Sequence, residues 1–318
     1  MRRFLKPPFS IRTILGLMIG LMGLLGLLLA LFAGNINRNL VIENHKAALV
    51  ELVQLKSTDH IRRLEEHARD LGIAIQSEAG FRSRFDAGDR AGMEDALEHQ
   101  FHQYFVTAGV LKLEQLVAFD NDYALAADAV ADSAQALRGQ VVCPRLLEAG
   151  KHRKGAERAR VLSDICTVNG KAYQMVLVGI GGLLPRGYLG VVIDPVPALS
   201  TIQAALGMPV KINYPGMPSI YKSSDWPAKD AMLDVMVADY PIAGTDGRTA
   251  LTVAVLSDQR TLYAKLRHAR MLLMIVAALV TLVFVAIALS VFRLTTVRPL
   301  RNLTTQLRLV GRDRSNLL

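Results

Sequence analysis

Two uncharged, apolar stretches decide the architecture of this chain: TILGLMIGLMGLLGLLLALFAGNIN at 13–37 and MLLMIVAALVTLVFVAIALSVF at 271–292. They contain 25 and 22 residues, and a helix needs about 20 apolar residues to cross hydrocarbon roughly 30 Å thick. The first stretch is longer than the apolar region of a usual signal peptide and lacks a small-x-small cleavage site. Both stretches therefore predict membrane-spanning helices that flank a large domain.

The charged residues are distributed as expected for a protein anchored at both ends. Of the 37 Lys and Arg residues, ten lie outside 38–270, whereas 27 of the 28 Asp and Glu residues lie within it. The net charge of +9 therefore comes from the two ends. Lys and Arg beside membrane spans stay on the cytoplasmic side, so we predict cytoplasmic termini and a large domain on the opposite side of the membrane. The distribution favours contact with membrane lipid and argues against nucleic-acid binding.

The residues between the spans predict an α+β domain that is entered by a long helix. No proline occurs from 37 to 76, and apolar residues there recur at the spacing of a helix that buries one face. From Gln115 onward, short β-rich runs separated by Gly, Pro and Asp turns predict antiparallel strands. We divide the chain into a basic N-terminus (1–12), a first span (13–37), a helical stalk with the larger α+β unit (38–207), a smaller β unit (208–257), a linking helix (258–270), a second span (271–292) and a cytoplasmic end (293–318).

The two cysteines, Cys143 and Cys166, both fall in the domain that is predicted to lie outside the cytoplasm. An oxidising compartment permits a disulfide between them. Such a bond would close a loop of 24 residues and stabilise the fold by about 3 kcal/mol. The charged residues of that loop predict a solvent-exposed segment. The alternative is a pair of unrelated buried thiols.

The segment after the second span resembles the start of a HAMP linker domain. The resemblance rests on VRPLRNL at 297–303, in which Pro299 follows the span, and on an apolar stripe of Leu300, Leu303 and Leu307. It implies that these residues relay a signal from the span. It also implies a homodimer, because HAMP helices bury this stripe only in a four-helix bundle made by two chains. The alternative is a basic membrane-flanking helix with a chance proline.

The stretch GYLGVVIDP at 187–195 resembles the late core strand of Cache-type extracytoplasmic sensor domains. These are PAS-like sheets reached by a long helix from the first span, a layout that matches about 38–267. The resemblance implies a membrane-anchored α+β sensor with antiparallel sheets, in a bacterial inner membrane with its large domain in the periplasm. The chain departs from the amino-acid-binding members, whose Arg and Trp positions find no match here. The small-molecule ligand is therefore left unidentified.

Four residues on or beside the predicted core strand are candidates for ligand binding: Tyr173, Arg186, Tyr188 and Asp194. The counterpart of Asp194 in related sensors holds a ligand amine. Alternatively, Asp194 caps the following helix, for which Asp is well suited before a proline. The tyrosines and Arg186 would line the same pocket, although aromatic residues in strands more often belong to the core.

The sequence contains little that indicates a metal centre, a cofactor or an enzyme. His99 and His102 are three residues apart on a predicted helix with Glu98 beside them, but no third ligand is suitably spaced. No Ser/His/Asp or Cys/His arrangement and no carboxylate pair stands out. We therefore predict no metal, no cofactor and no catalysis within these residues.

The sequence thus predicts a transmembrane receptor that senses an extracytoplasmic ligand and signals through its second span. The output module would lie beyond these residues and would be a diguanylate cyclase or phosphodiesterase, a histidine kinase or a chemoreceptor signalling module. The alternative is a non-signalling envelope protein whose periplasmic domain binds a protein partner.

Overall fold

The computed structural model describes residues 11–108, 111–182, 184–227 and 235–292. The chain divides into two compact units. One comprises Met1–Asn44 with Arg260–Leu318, and the other comprises His45–Gln259. The first unit contains the apolar stretches, and the second contains the α+β domain.

Three helices open the chain: α1 (Ile11–Ser77), α2 (Ala79–Asp86) and α3 (Arg90–Ala108). The 67 residues of α1 form one helix, so the predicted stalk continues the helix of the first apolar stretch. The predicted apolar seam of α1 lies against a sheet, where Leu64, Ala68 and Ile75 are buried. Close packing at Gly72 explains the glycine, because a Cβ there would lie 2.8 Å from Val178 Cγ2.

The first sheet has five antiparallel strands in the order β2-β1-β5-β4-β3. Helices α1 and α3 cover one of its faces. The other face is covered by a 3₁₀ helix, η1 (Asp132–Leu137), and by α4 (Pro144–Lys151), and we call it the loop-covered face. Its central strands are buried almost continuously because both faces are covered. The strands are β1 (Lys112–Asp120), β2 (Leu125–Val130), β3 (Leu162–Val168), β4 (Lys171–Ile180) and β5 (Gly187–Asp194).

A second sheet of four antiparallel strands, in the order β7-β6-β9-β8, follows two short helices. The sequence predicts one helix from 195 to 206, but the structure has two that meet at Thr201. Residues of both sheets share a core, in which Ile165 and Ala172 pack with Val210 and Leu251. The elements are α5 (Val196–Ser200), α6 (Ile202–Leu206), β6 (Val210–Asn213), β7 (Ser219–Lys222), β8 (Val235–Ala243) and β9 (Thr249–Asp258).

The last described helix, α7 (Arg260–Phe292), contains a candidate membrane span at Tyr263–Ile287. It is the one described helix that qualifies by length and apolar composition, with a mean hydropathy of 2.7. The predicted first span, 13–37, lies in the first part of α1 and stays a prediction. The two helices approach closely, because a Cβ at Gly23 would lie 2.8 Å from Thr281 Cγ2.

Two expectations differ from the structure or lie outside it. The segment between the cysteines is not merely a solvent-exposed excursion, because α4 buries Leu146 and Leu147 against the sheet. Its apolar residues are too few and too closely spaced to reveal a short helix by periodicity. The predicted HAMP segment, with Pro299, Leu300, Leu303 and Leu307, lies outside the described residues.

Candidate functional site

Three of the four predicted ligand-binding residues belong to the loop-covered face, but they do not meet at one place. Tyr188 and Asp194 are six residues apart on β5, which corresponds to roughly 20 Å along a strand. Tyr173 lies near Asp194, since its strand neighbour Gln174 pairs with Ile193. The candidate site therefore consists of two clusters at opposite ends of one face.

The Asp194 cluster holds an ammonium group between two carboxylates. The Nζ atom of Lys112 lies 2.7 Å from Asp194 Oδ2 and 3.3 Å from Glu114 Oε1. A β-bulge between Leu113 and Gln115 places Glu114 beside this pair. The side chains of Glu114 and Asp194 are 6% and 15% exposed, against 46% for Lys112. The Lys112 ammonium can therefore turn outward into solvent while the two carboxylates stay sheltered.

The electrostatics of the Asp194 cluster favour a bound cation. Burial opposes the charged form of Lys112, but the hydrogen bond and charge of Asp194 outweigh it and raise the pKa of Lys112. Burial and then the charges of Glu114 and Asp194 raise the pKa of Tyr173. Burial and the charge of Asp194 also raise the pKa of Tyr214. Two neutral phenols beside two carboxylates form an environment in which an ammonium is stabilised.

Asp194 also accepts a backbone hydrogen bond at the start of the following helix, which is the alternative role that the sequence suggests for it. Its Oδ1 atom accepts a hydrogen bond of 2.9 Å from the N–H of Val196, at the start of α5. The other oxygen, Oδ2, is the one that contacts Lys112. One carboxylate thus orders the turn after β5 and presents its second oxygen to a cation.

The Tyr188 cluster lies at the other end of the face and holds a guanidinium. The rings of Tyr123 and Tyr188 stack with their centroids 4.3 Å apart. Arg158 donates from Nε to the Tyr188 hydroxyl at 3.1 Å, and from Nη2 to Asn121 O and Oδ1 at 3.1 and 2.9 Å. Arg158 comes from a 3₁₀ helix, η2 (Gly155–Ala159), which it fastens to the β1–β2 turn.

Arg186 does not join either cluster. Its Nη1 atom forms an ion pair with Asp86 Oδ1 at 3.1 Å, and its side chain is 70% exposed. It follows the β4–β5 turn and therefore lies beside the sheet, where it contacts the end of α2. We find no contact that directs it to the loop-covered face among the residues described.

The centre of the loop-covered face, between the clusters, is filled by the protein's own side chains. A Cβ at Gly190 would lie 2.7 Å from both Met175 Cε and Val117 Cγ1. Val192 and Leu177 are also buried in this core. A ligand would therefore bind at the cluster ends, or it would need this face to open.

Cys143 and Cys166 are joined by a disulfide, with their Cα atoms 5.5 Å apart. The bond connects the residue before α4 to β3, and both cysteines are buried. The helix that covers the sheet is thus covalently tied to an edge strand of that sheet.

His99 and His102 lie exposed on α3. Within the described part of the chain, no group of three or more His, Cys, Asp or Glu residues is placed to hold a metal ion. The expectation that the chain binds no metal and no cofactor stays a prediction.

Sequence reasoning missed Lys112, Glu114 and Arg158. The predicted strand begins at Gln115, three residues after the observed β1 begins, so the first two fell outside it. The alternation Lys-x-Glu beside an apolar run is a signal that could have extended the strand. Arg158 is one of several basic residues between the cysteines, and nothing local distinguishes it.

Comparisons with known proteins identify similar structures but no similar sequences. No protein-family model matches the chain, and no curated protein matches it. Among solved structures, it is similar to the periplasmic domain of Vibrio cholerae LuxQ, with 13% identity and a TM-score of 0.44, over 67% of this chain and 99% of that one.

Two further solved domains have a similar layout. The ligand-binding domain of the Pseudomonas fluorescens chemoreceptor CtaA, solved with L-isoleucine, has 11% identity and a TM-score of 0.36, covering 72% of this chain and 98% of that one. The sensor domain of the V. cholerae histidine kinase DctB has 11% identity and a TM-score of 0.36, covering 67% and 98%.

Proposed function

We propose that this chain is a Cache-type extracytoplasmic sensor that passes a ligand-induced change in its domain to a membrane helix. The observation that carries the proposal is the junction between β9 and α7. Strand β9 ends at Asp258 and α7 begins at Arg260, so one residue separates the sheet from the apolar helix. That residue, Gln259, is 1% exposed, and its Nε2 donates to Ser257 Oγ at 3.1 Å. A single residue between the strand and the helix leaves little flexible chain to absorb a displacement.

We propose that the protein lies in a bacterial inner membrane with both termini in the cytoplasm. Residues 13–37 would form the first span and 271–292 the second, with the α+β domain in the periplasm. The asymmetry of Lys and Arg supports this orientation.

We further propose that the ligand carries an amino group. Lys112 already occupies a site between two sheltered carboxylates, so a ligand ammonium that displaces it would inherit the same contacts. Tyr173 and Asp194 would then be the ligand-binding residues. Tyr188, at the opposite end of the face, and Arg186, which pairs with Asp86 beside the sheet, would not contact an amine bound there and would affect its binding only indirectly.

The relay proposed beyond α7 runs through Pro299, Leu300, Leu303 and Leu307 in a HAMP-type helix. That helix would require a homodimer to bury its stripe. It would control a cyclase or phosphodiesterase, a histidine kinase or a chemoreceptor module. The catalysis would belong to that module and not to the residues of the periplasmic domain.

The relay is tested by crosslinking the full chain in membrane vesicles. Gly23→Cys combined with Thr281→Cys places two thiols where the helices approach closely. We expect the crosslinking rate to change when an amine from a panel of L-amino acids and aliphatic diamines binds. Binding is measured independently as a rise in the melting temperature, since ligand at 100 times its Kd adds about 2.7 kcal/mol. The sensor proposal fails if a compound raises the melting temperature and leaves the crosslinking rate unchanged.

The matched control is Asp194→Asn, which removes the charge and keeps the hydrogen bond to the Val196 N–H. An amine that acts through the Asp194 cluster should lose its effect in this variant. A compound whose effect survives the substitution binds elsewhere, which would contradict the proposed site.

A second candidate function is a non-signalling envelope protein whose periplasmic domain binds a protein partner. The observation that favours it is the filled centre of the loop-covered face, where Met175 and Val117 occupy the space over Gly190. It predicts that none of the amines raises the melting temperature and that removal of Pro299 has no effect on partner binding.

A further inference from the structure

The turn between β8 and β9 is docked on the edge of the first sheet. The N–H of Thr245 donates a hydrogen bond of 3.0 Å to Ile165 O on β3, which is an edge strand. Gly244 fits against the same carbonyl, because a Cβ there would lie 2.8 Å from Ile165 O. This turn therefore occupies hydrogen-bonding capacity that an edge strand would otherwise leave open.

The turn itself is well ordered by its own hydrogen bonds. The N–H of Gly244 donates to Arg248 O at 2.8 Å, and the N–H of Gly247 donates to Gly244 O at 2.9 Å. Asp246 Oδ1 accepts from the N–H of Arg248 at 2.9 Å. These three bonds hold the turn in one conformation between the strands that it joins.

The β8–β9 turn also contacts the disulfide, next to its hydrogen bond with Ile165. The Thr245 hydroxyl lies 3.5 Å from Cys166 Sγ, and Cys166 is bonded to Cys143 at the start of α4. The cover of the loop-covered face is therefore connected to the β8–β9 turn through one covalent bond and two direct contacts. On its other side the turn leads along β9 to Gln259 and α7.

We propose that Gly244 and Thr245 are positioning residues that couple the loop-covered face to α7. A displacement of α4 and β3 is carried by the disulfide and by the Ile165–Thr245 hydrogen bond into the β8–β9 hairpin. The hairpin then shifts the start of α7. This inference rests on the proposed function, since it specifies the route by which the sensor reaches its membrane helix.

The hydrogen bond is better suited to this role than the apolar core that the two sheets share. Apolar packing among Ala172, Val210 and Leu251 is non-directional, so it does not by itself fix the position of the turn along β3. The bond between Thr245 N and Ile165 O is directional and fixes the position of the turn along β3. Its loss is expected to break the coupling while the core remains packed.

The test uses the full chain in vesicles with the Gly23→Cys and Thr281→Cys reporter. Gly190→Ala supplies a permanent stimulus, because its methyl group forces Met175 and Val117 apart on the loop-covered face. We expect this stimulus to change the crosslinking rate by about fivefold, the lower end of usual allosteric coupling.

The inference predicts that Gly244→Val abolishes the response to the stimulus. Its side chain would push the turn away from Ile165 O, so the rates with and without Gly190→Ala should become equal. The matched control is Gly247→Asn, in the same turn, where a Cβ meets nothing within 4 Å and φ is 72°. Asparagine tolerates that conformation, and the full response should persist. A merely structural role of Gly244 would alter both rates alike and leave their ratio unchanged.

The outcomes separate this inference from the proposed function. If the stimulus acts equally in all three backgrounds, the coupling does not pass through the turn and the inference is overturned, while the sensor proposal stands. If the stimulus acts in none of them, the relay to α7 itself is contradicted and both are overturned. Should Gly244→Val fail to fold, Gly244→Ala supplies the smaller displacement, and Arg158→Ala replaces Gly190→Ala as the stimulus if that variant does not accumulate.

Discussion

At the scale of single residues, the Tyr188 cluster contains one residue with an unusual backbone conformation, Tyr123, and one side chain held by several hydrogen bonds, Arg158. Tyr123 has φ of 63°, in the left-handed region that bulky residues rarely adopt. Its ring stacks on Tyr188, and its hydroxyl lies where a Cβ on Gly150 would be 2.5 Å away. The surrounding contacts hold this conformation, and Arg158 closes the cluster from the η2 side.

We expect Arg158→Ala to loosen η2 and to destabilise the domain. The substitution removes three hydrogen bonds from a charged donor, and a partly exposed group of this kind contributes about 1–2 kcal/mol. Hydrogen–deuterium exchange should rise across Gly155–Ala159, and the free energy of unfolding should fall. Arg160→Ala is the control, since it removes the same charge from an exposed neighbour. Equal effects of the two substitutions would contradict the specific role of Arg158.

We expect the stability of the domain to depend on pH through His60. This residue lies at the contact between α1 and Thr201, which joins α5 to α6. Burial and then the charge of Arg63 lower the pKa of His60 below its ordinary 6.5, and its Nδ1 lies 3.4 Å from Thr201 Oγ1. The unfolded chain therefore binds more protons than the folded chain at mildly acidic pH. Stability should rise with pH until about 6.5 and then level off.

His60→Gln should flatten that rise, as measured by denaturant unfolding at pH values from 5 to 8. His67→Gln, on an exposed position of α1, is the control and should keep the wild-type profile. An unchanged slope in His60→Gln would show that another group titrates.

At the scale of elements, α4 stays on the loop-covered face because the disulfide and its buried side chains hold it there. The helix has eight residues, too few to be stable alone in water. It is held by the burial of Leu146 and Leu147 and by the bond from Cys143 to Cys166. Its position over the sheet is thus a tertiary property.

Replacing both cysteines by alanine should lower the free energy of unfolding by about 3 kcal/mol, from the entropy of a loop of this size. The loss should be accompanied by faster exchange in Pro144–Lys151, whereas α3 on the opposite face should remain protected. Wild-type protein unfolded in reducing buffer is the control and should match the variant. A variant as stable as the oxidised protein would contradict this account of α4.

At the scale of the whole molecule, the distribution of charge and apolar residues predicts the topology. Leu184 follows the end of β4 and is 82% exposed, in the part of the domain that we place in the periplasm. In intact cells without an outer membrane, a thiol introduced by Leu184→Cys should react with a membrane-impermeant maleimide. A thiol introduced by Ser315→Cys should react only after permeabilisation. Reaction of both from outside would contradict the orientation predicted from Lys and Arg.

Much of the element order could be predicted from the sequence because helices and strands leave a local, periodic pattern. The sequence predicts a long helix over 37–76, strands over 171–180 and 188–193, and a hairpin around Asp246-Gly247. Helix α1, strands β4 and β5, and the β8–β9 hairpin lie at these positions. Strand β2 was missed because it is rich in alanine, which is depleted in strands. Strand β3 and helix α4 were missed because their apolar residues are few or partly exposed. The bulge at Glu114, which completes the Asp194 cluster, has no local signal.

By itself the sequence determined the α+β class, the long entering helix, the apolar segments and the charge asymmetry around them, since each depends on residues close together in the chain. Only the tertiary structure decided that Tyr173 and Lys112 lie beside Asp194 and that Thr245 lies beside Cys166. Those juxtapositions follow from the strand order β2-β1-β5-β4-β3 and from the docking of a turn on its edge. Contacts between distant residues depend on which strands pair, and no local period encodes that choice.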